Sequence, residues 1–154
     1  MNEITSDRIE KQIEIEAIPS RVWRALTDYR EFGRWFRVNL EGPFVVGQFT
    51  RGQITYPGYE HVTMEVLVEA IEPEHRFAFW WRPYAIDASV DYSAEPRTLV
   101  EFNLQTSQTG TLVTVTESGF DGIPAHRRDE AFRMNDGGWA AQVQNIKKHV
   151  EANP

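Results

Sequence analysis

The chain has 154 residues, enough for one domain with a real core and too few for two ordinary ones. Its 41% hydrophobic and 25% charged content is that of a globular protein, which excludes wholesale disorder. A net charge of −7, scattered basic residues and no cysteine exclude a nucleic-acid surface, a disulfide framework and a cysteine-based zinc site.

No apolar run approaches the ~20 residues that span a bilayer, so membrane insertion is not expected. Residues 1–16 are charged throughout and lack the apolar stretch of a signal peptide, and a soluble, cytoplasmic protein is the expectation. From 8 to 18, Ile9, Ile13, Ile15 and Ala17 alternate with Glu10, Gln12, Glu14 and Glu16, the pattern of a strand with one wet face. Pro19 suits a first helical turn, because its missing N–H has no partner there, and Val22, Trp23 and Leu26 give a short amphipathic helix. A second short helix over 31–36 gathers Phe32, Trp35 and Phe36.

Gly42-Pro43 ends that region. Residues 44–56 read as two short strands broken near Arg51-Gly52, with Pro57-Gly58 as a turn. Val62, Met64, Val66 and Val68 alternate with Thr63, Glu65, Leu67 and Glu69, a half-buried strand. After a turn at Pro73, Phe77, Phe79 and Trp81 share one strand face, with Arg76, Trp80 and Arg82 on the other. Val100, Phe102 and Leu104 mark the next strand, and Gly110 turns the chain into a last one over 111–117 with Val113 and Val115 on one face. Short turns between adjacent strands predict an antiparallel meander. Gly119 and Gly122 separate it from a final helix beginning near Pro124, whose Phe132, Trp139, Val143, Ile146 and Val150 form one stripe. Gly137-Gly138 lies inside that helix at ~1 kcal/mol each relative to alanine, which implies a bend or a close backbone approach. The 83–96 connection is long for a hairpin and carries Tyr84, Ile86, Val90 and Tyr92, as a lid or binding loop would.

Five Trp, five Tyr and nine Phe exceed what a minimal core needs. They point to a cavity for a small apolar molecule, lined by Trp35, Phe36, Met64, Phe79, Trp81, Phe102, Val115, Trp139 and Val143. A solid core would draw on the same residues. Glu117 continues the Val113–Val115 face, and Asp136 falls four residues after Phe132 and three before Trp139, so both carboxylates are expected to face the cavity. There they would orient a ligand, or act as acid and base in an enzyme. The competing reading puts each at the mouth, hydrated, paired with an arginine or capping a strand end. His61, His75, His126 and His149 are too widely spaced for a metal site and read as exposed or turn residues. Arg127-Arg128 and Lys147-Lys148 fit a solvated helix face, and Trp80 is the clear apolar candidate for a partner surface. No Gly-x-Ser-x-Gly elbow, Walker loop or dinucleotide fingerprint occurs, so no cofactor is expected.

A strand, two short helices, five or six antiparallel strands and one long helix make an α+β, helix-grip order, a curved sheet wrapped around the C-terminal helix. The residues support it. Ile18-Pro19-Ser20-Arg21-Val22-Trp23-Arg24-Ala25-Leu26-Thr27-Asp28 resembles the opening motif of the START-like, polyketide-cyclase-like (SRPBCC) superfamily, and Trp35-Phe36 its next aromatic landmark. Gly110-Thr111-Leu112-Val113-Thr114-Val115, then Glu117-Ser118-Gly119-Phe120 and Gly138-Trp139, resemble the branch related to the C-terminal domain of the heat-shock-protein-90 ATPase activator. The resemblance implies a helix-grip fold over nearly the whole chain. For function it implies ligand carriage, polyketide-cyclase or dehydratase chemistry, or a chaperone partner. Gly137 and the length of the 83–96 connection depart from the family pattern.

Overall fold

A computed structural model describes residues 7–154, so part of the charged N-terminal stretch lies outside the described residues. Strand β1 (Arg8–Ile15) buries Ile9 and Ile15 and leaves its glutamates in solvent, as the alternation requires. Helix α1 (Pro19–Thr27) opens with Pro19 in its first turn. Asp28 caps helix α2 (Tyr29–Phe36), its side chain accepting from the Arg30 N–H at 2.9 Å. Six strands follow: β2 (Val38–Leu40), β3 (Phe49–Ile54), β4 (Thr63–Glu72), β5 (Arg76–Trp81), β6 (Thr98–Thr106) and β7 (Thr111–Ser118). One 3-10 turn, Phe120–Gly122, leads into α3 (Ala125–Ala152).

The seven strands form one antiparallel sheet in the order β1-β7-β6-β5-β4-β3-β2. Helix α3 lies across its inner face. Trp139 is 2% exposed and meets the Phe102 ring edge-on at 5.7 Å, while Val143, Ile146 and Val150 continue the buried stripe. This is the helix-grip arrangement expected from the order of elements.

Three local expectations are corrected. Strand β3 runs unbroken through Arg51-Gly52, because Gly52 serves close approach instead of a break. A Cβ there would strike the Asn39 carbonyl and the Leu40 Cα of the neighbouring strand. The short strand β2 was not expected. Around Gly137 and Gly138 there is open space, which removes the close backbone approach from the two alternatives, and both lie within the single helix α3.

Candidate functional site

The β4–β5 ladder ends at Leu67↔Trp80, so Thr63, Met64, Glu65 and Val66 pair with β3 alone. Beyond that point β5 stays with β6, where Trp81 faces Thr98. The sheet parts there, and a cavity of about 530 Å³ occupies the opening. Ile54, Tyr56 and Tyr59 line it on the β3 side, Thr63 and Met64 on β4, and Phe36 at the end of α2. Trp81 and Arg82 close the β5 side, and Met134, Asn135 and Gln142 of α3 the helix side. The 83–96 connection contributes Tyr84, Ala85, Ile86, Tyr92 and Ser93 as a strap.

The strap is tied down at several points. Arg127 forks onto the Glu95 carboxylate at 2.6 and 3.1 Å, donates to the Pro83 and Tyr84 carbonyls at 2.9 and 3.2 Å, and lies 4.8 Å over the Tyr92 ring. Arg82 donates to the Ser93 carbonyl at 3.1 Å, and a His61 ring nitrogen sits 2.9 Å from the Ile86 carbonyl. Arg127 is therefore not part of a solvated helix face, and is only 9% exposed. Lys147 likewise reaches across to β1, donating to the Glu14 carbonyl at 3.1 Å.

Behind the Trp81–Asn135 wall sits Glu117, fully buried. Its Oε1 accepts from Trp139 Nε1 at 2.8 Å and Asn135 Nδ2 at 2.9 Å. Its Oε2 accepts from Trp81 Nε1 at 2.8 Å and the Thr98 hydroxyl at 2.6 Å. Burial pushes the Glu117 carboxyl above its ordinary range, and these hydrogen bonds pull back only part of the way. The residue joins sheet to helix, since Trp81 and Thr98 belong to β5 and β6, and Trp139 and Asn135 to α3.

Of the residues singled out in the sequence, Phe36, Met64 and Trp81 line the cavity, as do Tyr84, Ile86 and Tyr92 of the 83–96 connection. Trp35, Phe79, Phe102, Val115, Trp139 and Val143 are packed in the core instead, at most 4% exposed. Phe102 stacks on Phe77, Phe79 meets it edge-on, and the Trp35 indole donates to the Ala25 carbonyl at 2.8 Å. Glu117 points inward as expected, but into a cage of donors and not into open space. Asp136 does not face the cavity. It turns to the β1 side, where Oδ1 meets Lys11 Nζ at 3.0 Å.

His149 also departs from expectation. It is not an exposed or turn residue, since its Nε2 lies 2.8 Å from Glu31 Oε1 in a nearly sealed cluster with Arg21. Among the described residues, no group of three or more His, Asp or Glu side chains converges on a cation position. Asn135 was missed in the sequence. On a helical wheel, 135 and 136 flank the Trp139 stripe on opposite sides, and periodicity alone does not rank them.

Comparison with known proteins follows the fold closely. Protein MLL2253 from Mesorhizobium loti superposes with a TM-score of 0.75 at 21% identity, covering 96% of this chain and 98% of that one. The Aha1 dimer from Colwellia psychrerythraea gives 0.69 at 20% identity, covering 94% and 96%. DynU16, from the dynemicin biosynthetic locus, gives 0.74 at 23% identity, covering 96% of this chain but 48% of that one. At these identities the likeness is one of fold. No curated protein sequence matches the chain. No helix among the described residues is long and apolar enough to cross a membrane. The profile of the family described as Activator of Hsp90 ATPase homolog 1-like protein matches residues 16–151, and the chain belongs to that family.

Proposed function

We propose that the chain binds a small, largely apolar aromatic molecule in the cavity beneath the strap. The observation that carries this reading is the cavity itself. Its volume of about 530 Å³ falls within the ~300–1,000 Å³ of small-molecule sites, and its walls are rings and aliphatic side chains with a few polar groups. Burying a ligand against Phe36, Trp81 and the strap tyrosines supplies affinity at roughly 25 cal/mol per Å² of apolar surface, less the cost of immobilising the ligand. The acid–base alternative lacks its pair of groups. Both oxygens of Glu117 are engaged, and Asp136 lies outside the lining.

The test is thermal unfolding against a panel of aromatic and lipid-like compounds. A ligand at ~100 times its Kd should add ~2.7 kcal/mol, a shift of several degrees. A broad panel with no shift, together with native protein that co-purifies with nothing by mass spectrometry, would remove the reading.

A chaperone partner is a second reading, favoured by family membership and by one row on the outer sheet face. There Phe49, Leu67, Trp80 and Leu99 are direct cross-strand neighbours, and Phe49 is 45% exposed. Trp80 itself is half-buried, its indole donating to Glu69 at 2.9 Å. Binding to a heat-shock chaperone that is lost in Phe49→Ser would support this reading, and unaltered binding would remove that surface.

A further inference from the structure

The cavity wall holds one polar group whose orientation is forced from behind. The Trp81 and Trp139 Nε1–H groups can only donate, and each donates to a different oxygen of Glu117. Both oxygens are thereby acceptors. Asn135 meets them through Nδ2, at 2.9 and 3.2 Å, and an amide nitrogen in that place has its hydrogens directed at the carboxylate. Turning the amide over would set Oδ1 against oxygens that already accept from the tryptophans, and a proton held by the carboxyl finds its own acceptor in the Thr98 hydroxyl, 2.6 Å from Oε2. Asn135 also lines the cavity, and with Nδ2 held at Glu117 its Oδ1 is the end of the amide left for a ligand. No group among the described residues donates to it.

Other polar groups of the lining do not offer a comparable acceptor. Glu65 is engaged by Arg51 at 2.6 Å and Arg97 at 3.1 Å. The Gln142 carbonyl accepts from Asn145 at 3.1 Å. Tyrosine hydroxyls at 56, 59 and 84 turn to suit either a donor or an acceptor and so do not discriminate. Arg82 Nη2 donates to the Ser93 carbonyl and Nη1 lies towards Glu65, while its buried Nε–H has no partner among the described residues; as a guanidinium it offers donors only and is no acceptor for a ligand. Asn135 Oδ1 is the fixed acceptor, polarised by the carboxylate that holds its other end.

Resting on the ligand-binding reading above, we infer that the site selects aromatic molecules carrying a hydrogen-bond donor, a phenol or an arylamine, whose O–H or N–H meets Asn135 Oδ1. A site whose fixed acceptor is covered by the ligand discriminates against the analogue lacking the donor, because that analogue takes the acceptor from water and leaves it unpaired.

A matched pair of probes tests this: 2-naphthol, which donates, and 2-methoxynaphthalene, which has the same ring system and only accepts. Titrations followed by Trp81 fluorescence or calorimetry should show naphthol bound about 10- to 100-fold more tightly. The preference should vanish in Asn135→Leu and persist in Asp136→Asn, the adjacent residue outside the cavity. Equal affinity for the two probes would overturn this inference and leave the ligand-binding reading standing. Failure of both to bind at their solubility limits, with no other aromatic in the thermal panel binding either, would overturn the two together. The comparison on the unaltered chain is decisive even if Asn135→Leu folds poorly.

Discussion

Replacing Glu117 by glutamine exchanges one acceptor oxygen for an NH₂ group. Whichever oxygen is replaced, the new donor faces a tryptophan N–H, Trp139 at Oε1 or Trp81 at Oε2. A donor set against a donor in a dry interior costs about 1–3 kcal/mol. Relief of the buried charge offsets part of that cost at neutral pH. Because burial raises the carboxyl's pKa in the folded chain, the native state holds its proton to higher pH than the unfolded state does. The residue's stabilising contribution is therefore fully present below the ordinary glutamate range and declines as pH rises through the raised value. Denaturant melts of wild type and Glu117→Gln at pH 5 and pH 8 should show the larger difference at pH 5. A difference that grows towards pH 8 would mean the carboxyl is ionised at no cost. Asp136 supplies the contrast. Its pair with Lys11 is half open to solvent, so Asp136→Asn should cost under ~1 kcal/mol and leave ligand affinity unchanged.

At the level of elements, one cluster fastens α1 and α2 to the end of α3. Glu31 of α2 accepts from Arg24 at 2.7 Å, pairs with Arg21 at 2.9 Å and meets His149 of α3 at 2.8 Å. Arg21 also donates to the Asn153 carbonyl at 2.7 Å. Burial opposes ionisation of Glu31, but the bonds from His149, Arg24 and Arg21 outweigh it and hold the carboxyl below its ordinary range. Its stabilisation is present above the ordinary value and lost as pH falls through the depressed one. Glu31→Gln should cost up to ~3 kcal/mol at pH 7, the low end for breaking a buried pair, and should flatten the acid limb of the melting curve. An acid limb identical to wild type would show that other carboxylates set it. None of this cluster was legible in the sequence, since residues 21, 31 and 149 meet only through packing. What was legible follows from period. The two-residue alternation of Val100, Phe102 and Leu104, and the stripe from Trp139 to Val150, fixed strands and helix because one buried face suffices to specify them. The three-residue strand β2 is too short to show a period, and Gly52 reads as a breaker until Asn39 is seen against it. The site was legible where it coincided with such faces, at Phe36, Met64 and Trp81, and where apolar residues stood in an overlong connection, at Tyr84, Ile86 and Tyr92. Tyr56, Tyr59 and Asn135 enter it because the sheet parts, and nothing local to them announces that.

For the molecule as a whole, the cavity is a void left between a sheet that splits and a helix that bridges the split, and the strap forms one of its walls. The strap has no strand or helix of its own between Trp81 and Thr98, so its position depends on side chains from elsewhere. Arg127 carries most of that load, with a bidentate pair to Glu95, two carbonyl contacts and a ring stacked beneath it. A lysine keeps the charge but has no planar fork, so it can satisfy one of these partners at a time. Arg127→Lys should therefore loosen residues 83–96 while sheet and helix hold, because Trp139 makes its ring contacts and its hydrogen bond with Phe36, Trp81, Phe102 and Glu117 and none with Arg127. Amide exchange should accelerate in that segment and stay unchanged in β6 and β7. Ligand release, followed by stopped-flow Trp81 emission, should speed up ~10-fold or more, the equivalent of losing one or two charge-assisted hydrogen bonds worth ~1.5–3 kcal/mol each. Association should change less, since a strap that already opens on its own admits ligand without help from the mutation. If release is unaltered while exchange rises, the strap moves independently of the ligand, and entry runs past Tyr56 and Tyr59 on the β3 side. If exchange does not rise either, the Arg82–Ser93 and His61–Ile86 contacts hold the strap without Arg127.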